Sequence, residues 1–291
     1  MYLSENNMSI NPAAPTNPLS TYFRQPKVYV KLPSQGRFYP EGALDVSETG
    51  DYPVYSMTAK DELMFKTPDA LLNGQATVEI IKSCAPAITN PWAMPSIDLD
   101  AVLIAIRIAT YGEEMEIRTT CPSCNNVDHF NMDLVAYLNS ISGFEYNSTI
   151  EIDNLIVHVR PYSYKEVTKM SIKALEQEKI FNIVNNPDLS DEEKLEQFGE
   201  SFVRLTDLTV DIISGCVEKI QTPDAEVTDQ RWIDEFIKNA PKEVFEKVNE
   251  RINEVKKALE LKIHNLTCSS CGHTYDTAIT VDQSNFFAVR S

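Results

Sequence analysis

The sequence contains no apolar run long enough to cross a bilayer. Its longest such run, Ala101 to Ala109, is interrupted by Arg107, whereas a membrane-spanning helix needs about 20 predominantly apolar residues. The N-terminal stretch MYLSENNMSINPAAPTNPLS also lacks the basic start and the apolar core of a secretory signal peptide. These absences predict an intracellular chain with no membrane partner.

Positive charge is scarce as well. The 291 residues carry 26 Lys and Arg against 43 Asp and Glu, which gives a formal net charge of −17. Between residues 139 and 262 the two signs are interleaved, with 16 basic and 25 acidic side chains, as on solvated helices. Because an acidic surface repels phosphate backbones unless its basic residues gather into one patch, we expect no nucleic-acid partner.

Cysteine is limited to six residues. They are Cys84, Cys121, Cys124, Cys216, Cys268 and Cys271. In a large intracellular chain, two Cys-x-x-Cys pairs and two isolated cysteines are typical of metal binding and not of a disulfide framework. We expect Cys84 and Cys216 to be buried free thiols.

The two pairs, Cys121-Pro-Ser-Cys124 and Cys268-Ser-Ser-Cys271, share one spacing, and each is flanked by segments that should be extended. A tight Cys-x-x-Cys turn directs two thiolates at one point, so two such turns complete a tetrahedral four-sulfur zinc site. Because 143 residues lie between Cys124 and Cys268, the predicted zinc ribbon is discontinuous. The metal would hold together the two ends of an inserted block.

The predicted zinc is structural. Four thiolates leave no open coordination position, which a catalytic zinc needs for water or substrate. His129 and His273 are close enough in the sequence to replace a cysteine ligand, and this alternative is less favoured than four cysteines. No histidine is followed by the x-Glu of the zinc deaminases. We therefore predict a non-enzymatic protein; a metalloenzyme would require an open zinc position.

Hydrophobic periodicity and capping residues predict the main elements. Strands are expected at 28–32 and 52–59, on both sides of each cysteine pair, and in a hairpin around Asp153-Asn154. Helices are expected from Thr58, at 67–74, 75–84, 96–111, 163–185, 190–220, 228–239 and 241–262. The helix at 96–111 is apolar nearly all round, which indicates a central buried helix. In the helix at 190–220, apolar residues 195, 198, 202, 205, 208, 212 and 213 share one stripe.

These elements indicate an α+β protein with four parts. They are a flexible N-terminal arm at 1–24, an N-terminal α+β region with the first zinc knuckle at 25–138, an inserted hairpin plus helical domain at 139–262, and the second zinc knuckle with a C-terminal strand at 263–291. The arm is rich in Asn, Pro, Ser and Thr and has little to bury.

A group of aromatic residues accompanies the turns of the N-terminal region. Phe38, Tyr39, Tyr52 and Tyr55 flank a segment punctuated by Pro and Gly. They either form a partner-binding surface or pack in the core, and the sequence leaves both readings open.

Three long stretches resemble the T-even-type bacteriophage baseplate hub and hub assembly family. They are YVKLPSQGRFYPEG, YPVYSMTAKDELMFKTPDALLNGQATVEIIKSCAPAI, and DLDAVLIAIRIATYGEEMEI followed by CPSC. The resemblance is dense from about Val28 to Leu134, and it extends more loosely to STIEIDNLIVHVRPYSYKE.

The resemblance implies a structural or assembly protein of a contractile-tailed phage, which binds other baseplate and tail proteins and has no enzymatic activity. It implies synthesis in the bacterial cytoplasm and, if the protein is retained, a place in the tail baseplate. It leaves open whether the protein is a resident of the particle or an assembly factor, and whether it self-associates. The alternative from another class is a zinc-ribbon regulator that binds nucleic acid.

Overall fold

The computed structural model describes residues 17–65, 74–141, 148–258 and 262–278. Over these residues the chain forms eight α-helices and four small antiparallel sheets. This mixed content of helices and strands agrees with the predicted class. Buried side chains form two large apolar cores and a small third cluster around two of the cysteines.

The first core belongs to the N-terminal region. Its elements are β1 (Val28–Lys31), β2 (Asp51–Val54), α1 (Ala59–Phe65), α2 (Gln75–Cys84) and α3 (Ser96–Tyr111). Helix α3 is the predicted central helix, and it buries eleven of its sixteen residues. It ends at Gly112, which has φ +102°, a backbone conformation that favours glycine.

The start of α1 is set by the predicted capping box. The carboxylate of Asp61 accepts hydrogen bonds from the backbone N–H and the hydroxyl of Thr58, both at 2.8 Å. In return, the Thr58 hydroxyl accepts from the Asp61 backbone N–H at 3.2 Å. This pairing satisfies donors that a helix N-terminus otherwise leaves open. The short helix predicted at 67–74 falls largely outside the described residues.

The predicted N-terminal arm also lies mostly outside the described residues, but its last residue contacts the first core. The guanidinium of Arg24 donates to the Ser83 carbonyl at 2.6 Å and lies 3.6 Å from the buried carboxylate of Asp61. It also lies over the ring of Tyr55, 5.6 Å from the centroid. Arg24 therefore joins the segment before β1 to α1 and α2.

The second core belongs to the block between the two cysteine pairs. Its elements are β5 (Thr149–Ile152), β6 (Leu155–Val159), α5 (Tyr164–Asn185), α6 (Asp191–Gly215), β7 (Val217–Gln221), β8 (Glu226–Val227), α7 (Gln230–Asn239) and α8 (Lys242–Ala258). The sheet has the order β5-β6-β7-β8. Helices α7 and α8 contribute Ile233, Ile237, Val248 and Ile252 to this core.

The hairpin between β5 and β6 turns at Asp153-Asn154, as predicted, with Asp153 at φ +52°. The predicted capping residues of both long helices are also confirmed. Ser163 pairs with Glu166 at the start of α5, and Ser190 pairs with Glu193 at the start of α6. These boundaries were predictable because caps are local in the sequence.

The predicted end of the helix at 190–220 is wrong. Helix α6 ends at Gly215, and Val217–Gln221 forms strand β7 between β6 and β8. Val217 and Ile220 are three residues apart, a spacing that places both on one face of a helix, whereas in a regular strand they would face opposite sides. A register irregularity between β6 and β7 allows both to be buried on the strand. The neighbouring strands β6 and β8 favour the strand conformation over the helix, because they supply the backbone hydrogen bonds of β7.

Three further features differ from the prediction. Strand β2 ends at Val54, although the strand was expected to extend to 59. The last helix of the block is described only to Ala258, and Lys262 already begins a strand, so the predicted helix does not extend to 262. A helix that we did not predict, α4 (Leu134–Ser140), follows the first cysteine hairpin. Its signal was present in the sequence, because Asp133 caps it by accepting from the backbone N–H groups of Val135 and Ala136.

A short antiparallel bridge joins the two cores. The backbone N–H of Ser96 donates to the carbonyl of Tyr162 at 2.7 Å, and the N–H of Tyr164 donates to the carbonyl of Met94 at 2.9 Å. The ring of Tyr164 stacks on that of Trp92, with centroids 5.3 Å apart. The helical block is therefore attached directly beside the start of α3, as well as through the cysteine hairpins.

Candidate metal centre

Each cysteine pair lies at the tip of an antiparallel hairpin. The first hairpin consists of β3 (Glu114–Thr120) and β4 (Val127–Asp133), which pair from Glu114 with Asp133 to Thr120 with Val127. The second consists of β9 (Lys262–Thr267) and β10 (Thr274–Ala278). The strand, cysteine pair, strand pattern predicted from the sequence is thus present twice.

The two turns have the same backbone hydrogen bonds. In the first, the N–H of Cys121 donates to the Asn126 carbonyl, and the N–H of Asn125 donates to the Cys121 carbonyl, both at 2.9 Å. The equivalent bonds in the second turn run from Cys268 to the His273 carbonyl and from Gly272 to the Cys268 carbonyl.

The residue after each second cysteine has a left-handed backbone. Asn125 has φ +58° and Gly272 has φ +70°. Asn and Gly are the residues that adopt this conformation most readily. The sequence therefore folds each pair locally into the tight turn that directs two thiols to the same side.

The tertiary structure brings the two turns together. The sulfur of Cys121 lies 3.7 Å from that of Cys271, and the sulfur of Cys124 lies 3.6 Å from that of Cys268. All four sulfurs lie within 4.8 Å of one another. A tetrahedral ion with zinc–sulfur bonds of about 2.3 Å separates its ligands by about 3.8 Å, and a disulfide would require about 2.05 Å. The four thiols are therefore placed as in a metal site.

The thiols of this cluster influence one another's ionisation. Burial raises the pKa of Cys121, but hydrogen bonds from the backbone N–H groups of Cys124 and Ser123 outweigh it and lower that pKa to about 7. The pKa of Cys124 is raised to about 12: the backbone N–H of Asn126 favours the thiolate, but the neighbouring thiols and burial outweigh it. Several thiolates at this spacing repel one another, and a bound cation removes that repulsion.

Asp128 connects the two hairpins beside the sulfurs. Its buried carboxylate accepts hydrogen bonds from the backbone N–H of Ser269 at 3.1 Å, from the Ser269 hydroxyl, and from the Asn126 side-chain amide at 2.9 Å. The bond from the Ser269 hydroxyl is the largest of the causes that lower the pKa of Asp128. A second link joins the hydroxyls of Thr119 and Tyr275, 2.7 Å apart.

Because Asp128 orients the second knuckle, Asp128→Ala should lower the affinity for zinc by about 10- to 100-fold, as is typical when a hydrogen-bonding partner beside a metal site is lost. Competition with a chromophoric zinc chelator measures the change. Glu114→Ala, which removes an exposed carboxylate from the same hairpin, is the matched control. An unchanged affinity in Asp128→Ala would contradict this role.

Neither histidine considered as an alternative ligand belongs to the four-sulfur cluster. His129 is exposed on β4, with its Nδ1 against the carboxylate of Glu116. The ring of His273 stacks on that of Tyr275. The two isolated cysteines are buried, as predicted. Burial raises the pKa of Cys84 to about 11, and burial also raises the pKa of Cys216.

The structure bears on the core alternative for the aromatic residues of the N-terminal region. Tyr52 is buried in the first core, Tyr39 packs against that core, and Tyr55 lies under the guanidinium of Arg24. A partner-binding role for this group stays a prediction. Phe38 and Tyr39 line a cleft of about 1060 Å³. Trp92 of the N-terminal region and Arg160 of the inserted block line the same cleft.

Asp98 on α3, the residue that holds the loop of Ser34 and Tyr39 in place, was not singled out in the sequence analysis. Its carboxylate accepts from the backbone N–H of Ser34 at 2.8 Å and from the hydroxyls of Ser34 and Tyr39.

The described structure is that of a mixed α/β protein in which two distant hairpins bring four cysteine sulfurs into one cluster. None of its described helices combines the length and the apolar character that a membrane span requires. Against known proteins, the family model described as T4 bacteriophage base plate protein matches residues 27–288, nearly the whole chain. The chain belongs to this family. No significant match was found among curated proteins or solved structures.

The family match confirms the resemblance inferred from the three sequence stretches. It identifies a structural protein of the phage baseplate and implies interaction with other phage tail proteins.

Proposed function

We propose that this protein is a structural or assembly component of the baseplate hub of a contractile-tailed phage. The match to the baseplate family over residues 27–288 is the observation that carries the proposal. The protein acts by binding other tail proteins and not by catalysis. It is made in the host bacterial cytoplasm and, if retained, takes a place in the tail baseplate.

Zinc held by Cys121, Cys124, Cys268 and Cys271 is the structural cofactor in this proposal. The spacing of the four sulfurs supports it, because a small tetrahedral ion with thiolate ligands fits between them. With four protein ligands the ion has no open position for a reaction. It fixes the two ends of the block at 139–262 against the N-terminal region at 25–138, and the division of the chain into these domains is part of the same proposal.

The alternative, a zinc-ribbon regulator that binds nucleic acid, has less support. The first hairpin exposes acidic side chains, including Glu114, Glu116 and Asp133, against the single basic residue Arg118. With a formal net charge of −17, such a surface repels phosphate groups.

Copy number in purified phage particles tests the hub proposal. Quantitative mass spectrometry would count this protein against a tail protein of known stoichiometry. A fixed number that matches threefold or sixfold tail symmetry identifies a resident of the baseplate. Absence from particles, with abundance in tail-assembly intermediates, identifies an assembly factor. Absence from both overturns the proposal.

A further inference from the structure

Helix α6 carries an apolar surface that the described residues of the chain leave largely exposed. The buried residues of α6 are Ser201, Ile212, Ile213 and Ser214, and three of these four lie at its C-terminal end. With 25 residues, α6 extends over about 37 Å. The N-terminal half of the predicted apolar stripe therefore lies away from the second core.

The uncovered half of this stripe consists of large side chains. Leu195, Phe198 and Phe202 expose 73%, 37% and 53% of their surface. Their spacing of three and four residues places them on one face of α6. The rings of Phe198 and Phe202 are stacked, with centroids 5.9 Å apart, so they form one continuous apolar surface. Contiguous exposed apolar groups of this kind mark interaction sites on soluble proteins.

An acidic row borders the stripe. Glu192, Glu196 and Glu200 are exposed and follow one another at intervals of four residues. Glu192 and Leu195 are three residues apart, so the row runs alongside the apolar side chains. Helix α6 as a whole carries seven Asp and Glu against two basic residues, Lys194 and Arg204. The guanidinium of Arg204 forms an ion pair with the carboxylate of Glu176 on α5, at 3.0 Å.

This charge distribution decides between two kinds of occupant. A second copy that packed its α6 antiparallel on this α6 about a twofold axis would bring the two acidic rows to the same side of the contact, and like charges facing each other across an interface destabilise it. A helix whose apolar stripe is flanked by Lys or Arg would bury the same side chains and pair with the glutamates. The exposed apolar face of α6 can receive such a helix by ordinary packing of side chains.

We propose that the surface formed by Leu195, Phe198 and Phe202 with Glu192, Glu196 and Glu200 binds a basic amphipathic helix of another tail protein. The tail origin of the partner rests on the proposed function, whereas the chemistry of the surface rests on α6 alone.

Photo-crosslinking in infected cells tests this proposal on the full-length chain. The photo-reactive p-benzoylphenylalanine would be incorporated in place of Phe202 and, as a control, in place of Trp232, which is 62% exposed on α7. We expect the probe at 202, but not the probe at 232, to capture a segment with apolar residues three and four apart and flanking Lys or Arg. A crosslink to a second copy of this chain, or no capture at 202 above the control, would overturn the proposal.

A charge reversal supplies the second arm of the test. Glu196→Lys combined with Glu200→Lys should lower the crosslink yield at position 202 at least tenfold. The matched control combines Glu246→Lys with Glu250→Lys, two exposed residues with the same spacing on α8. An unchanged circular dichroism spectrum verifies that both variants are folded. An equal crosslink yield in the two double variants would contradict the proposed role of the acidic row.

The origin of the captured helix tests the proposed function separately. If a captured basic helix belongs to a protein outside the tail, the proposal for the surface is supported and the baseplate proposal is contradicted.

Discussion

Cys268→Ser should abolish stoichiometric zinc binding and lower the thermal midpoint of unfolding by roughly 10 °C or more. Three thiolates remain in the variant, but a hydroxyl is a poor ligand for an ion that prefers four sulfurs. The two hairpins would then be joined mainly by the Asp128–Ser269 and Thr119–Tyr275 hydrogen bonds. Zinc content measured by mass spectrometry under native conditions, with a thermal melt of the same sample, gives both quantities.

The control for this experiment is Cys216→Ser. Cys216 is fully buried in the second core and is not part of the sulfur cluster, so this variant should lose stability but keep one zinc per chain. Retention of stoichiometric zinc in Cys268→Ser would disprove the four-cysteine assignment. Loss of zinc with an unchanged midpoint would disprove its role in stability. Cobalt substitution adds a separate check, because spectra with fewer than four sulfur ligands would favour a metalloenzyme.

Asp98→Ala should lower the free energy of unfolding by about 3 kcal/mol at pH 5. The substitution leaves the buried N–H of Ser34 and the Tyr39 hydroxyl without their acceptor, and each unsatisfied buried donor costs about 1–3 kcal/mol. Urea titrations of the variant and the wild type measure the difference. Asp45→Ala, which changes an exposed carboxylate of the same region, should have an effect within about 0.5 kcal/mol.

The loss of unfolding free energy caused by Asp98→Ala should also become smaller as the pH rises. Burial raises the pKa of Asp98 from 3.8 to about 6, although hydrogen bonds from Ser34 and Tyr39 partly oppose it. The folded protein therefore binds this proton more tightly than the unfolded chain, and the contribution of Asp98 to stability falls as the pH rises from about 4 through 6. Titrations repeated at pH 7.5 should give a clearly smaller difference than at pH 5. A difference that grows with pH would show that the ionised carboxylate is the stabilising form.

The features that could be predicted are those encoded by neighbouring residues. The capping pairs Thr58–Asp61, Ser163–Glu166 and Ser190–Glu193 were predictable because each satisfies a helix terminus within one turn. The two cysteine turns were predictable for the same reason. Strand β7 was not, since Val217 and Ile220 have the spacing of a helix face, and the register irregularity that buries both on a strand exists only with β6 beside them.

The sequence by itself carries an acidic composition that disfavours nucleic-acid binding. It was also enough to predict the central helix α3, the two cysteine knuckles and the resemblance to the baseplate family. Only the tertiary structure decided that Cys121 lies against Cys271 and Cys124 against Cys268, and that Asp98 holds the loop of Ser34 and Tyr39. It also decided which half of the α6 stripe is covered. The reason is physical: caps, turns and periodicity depend on groups a few residues apart, whereas burial depends on which distant elements pack against a face, and no local pattern specifies that.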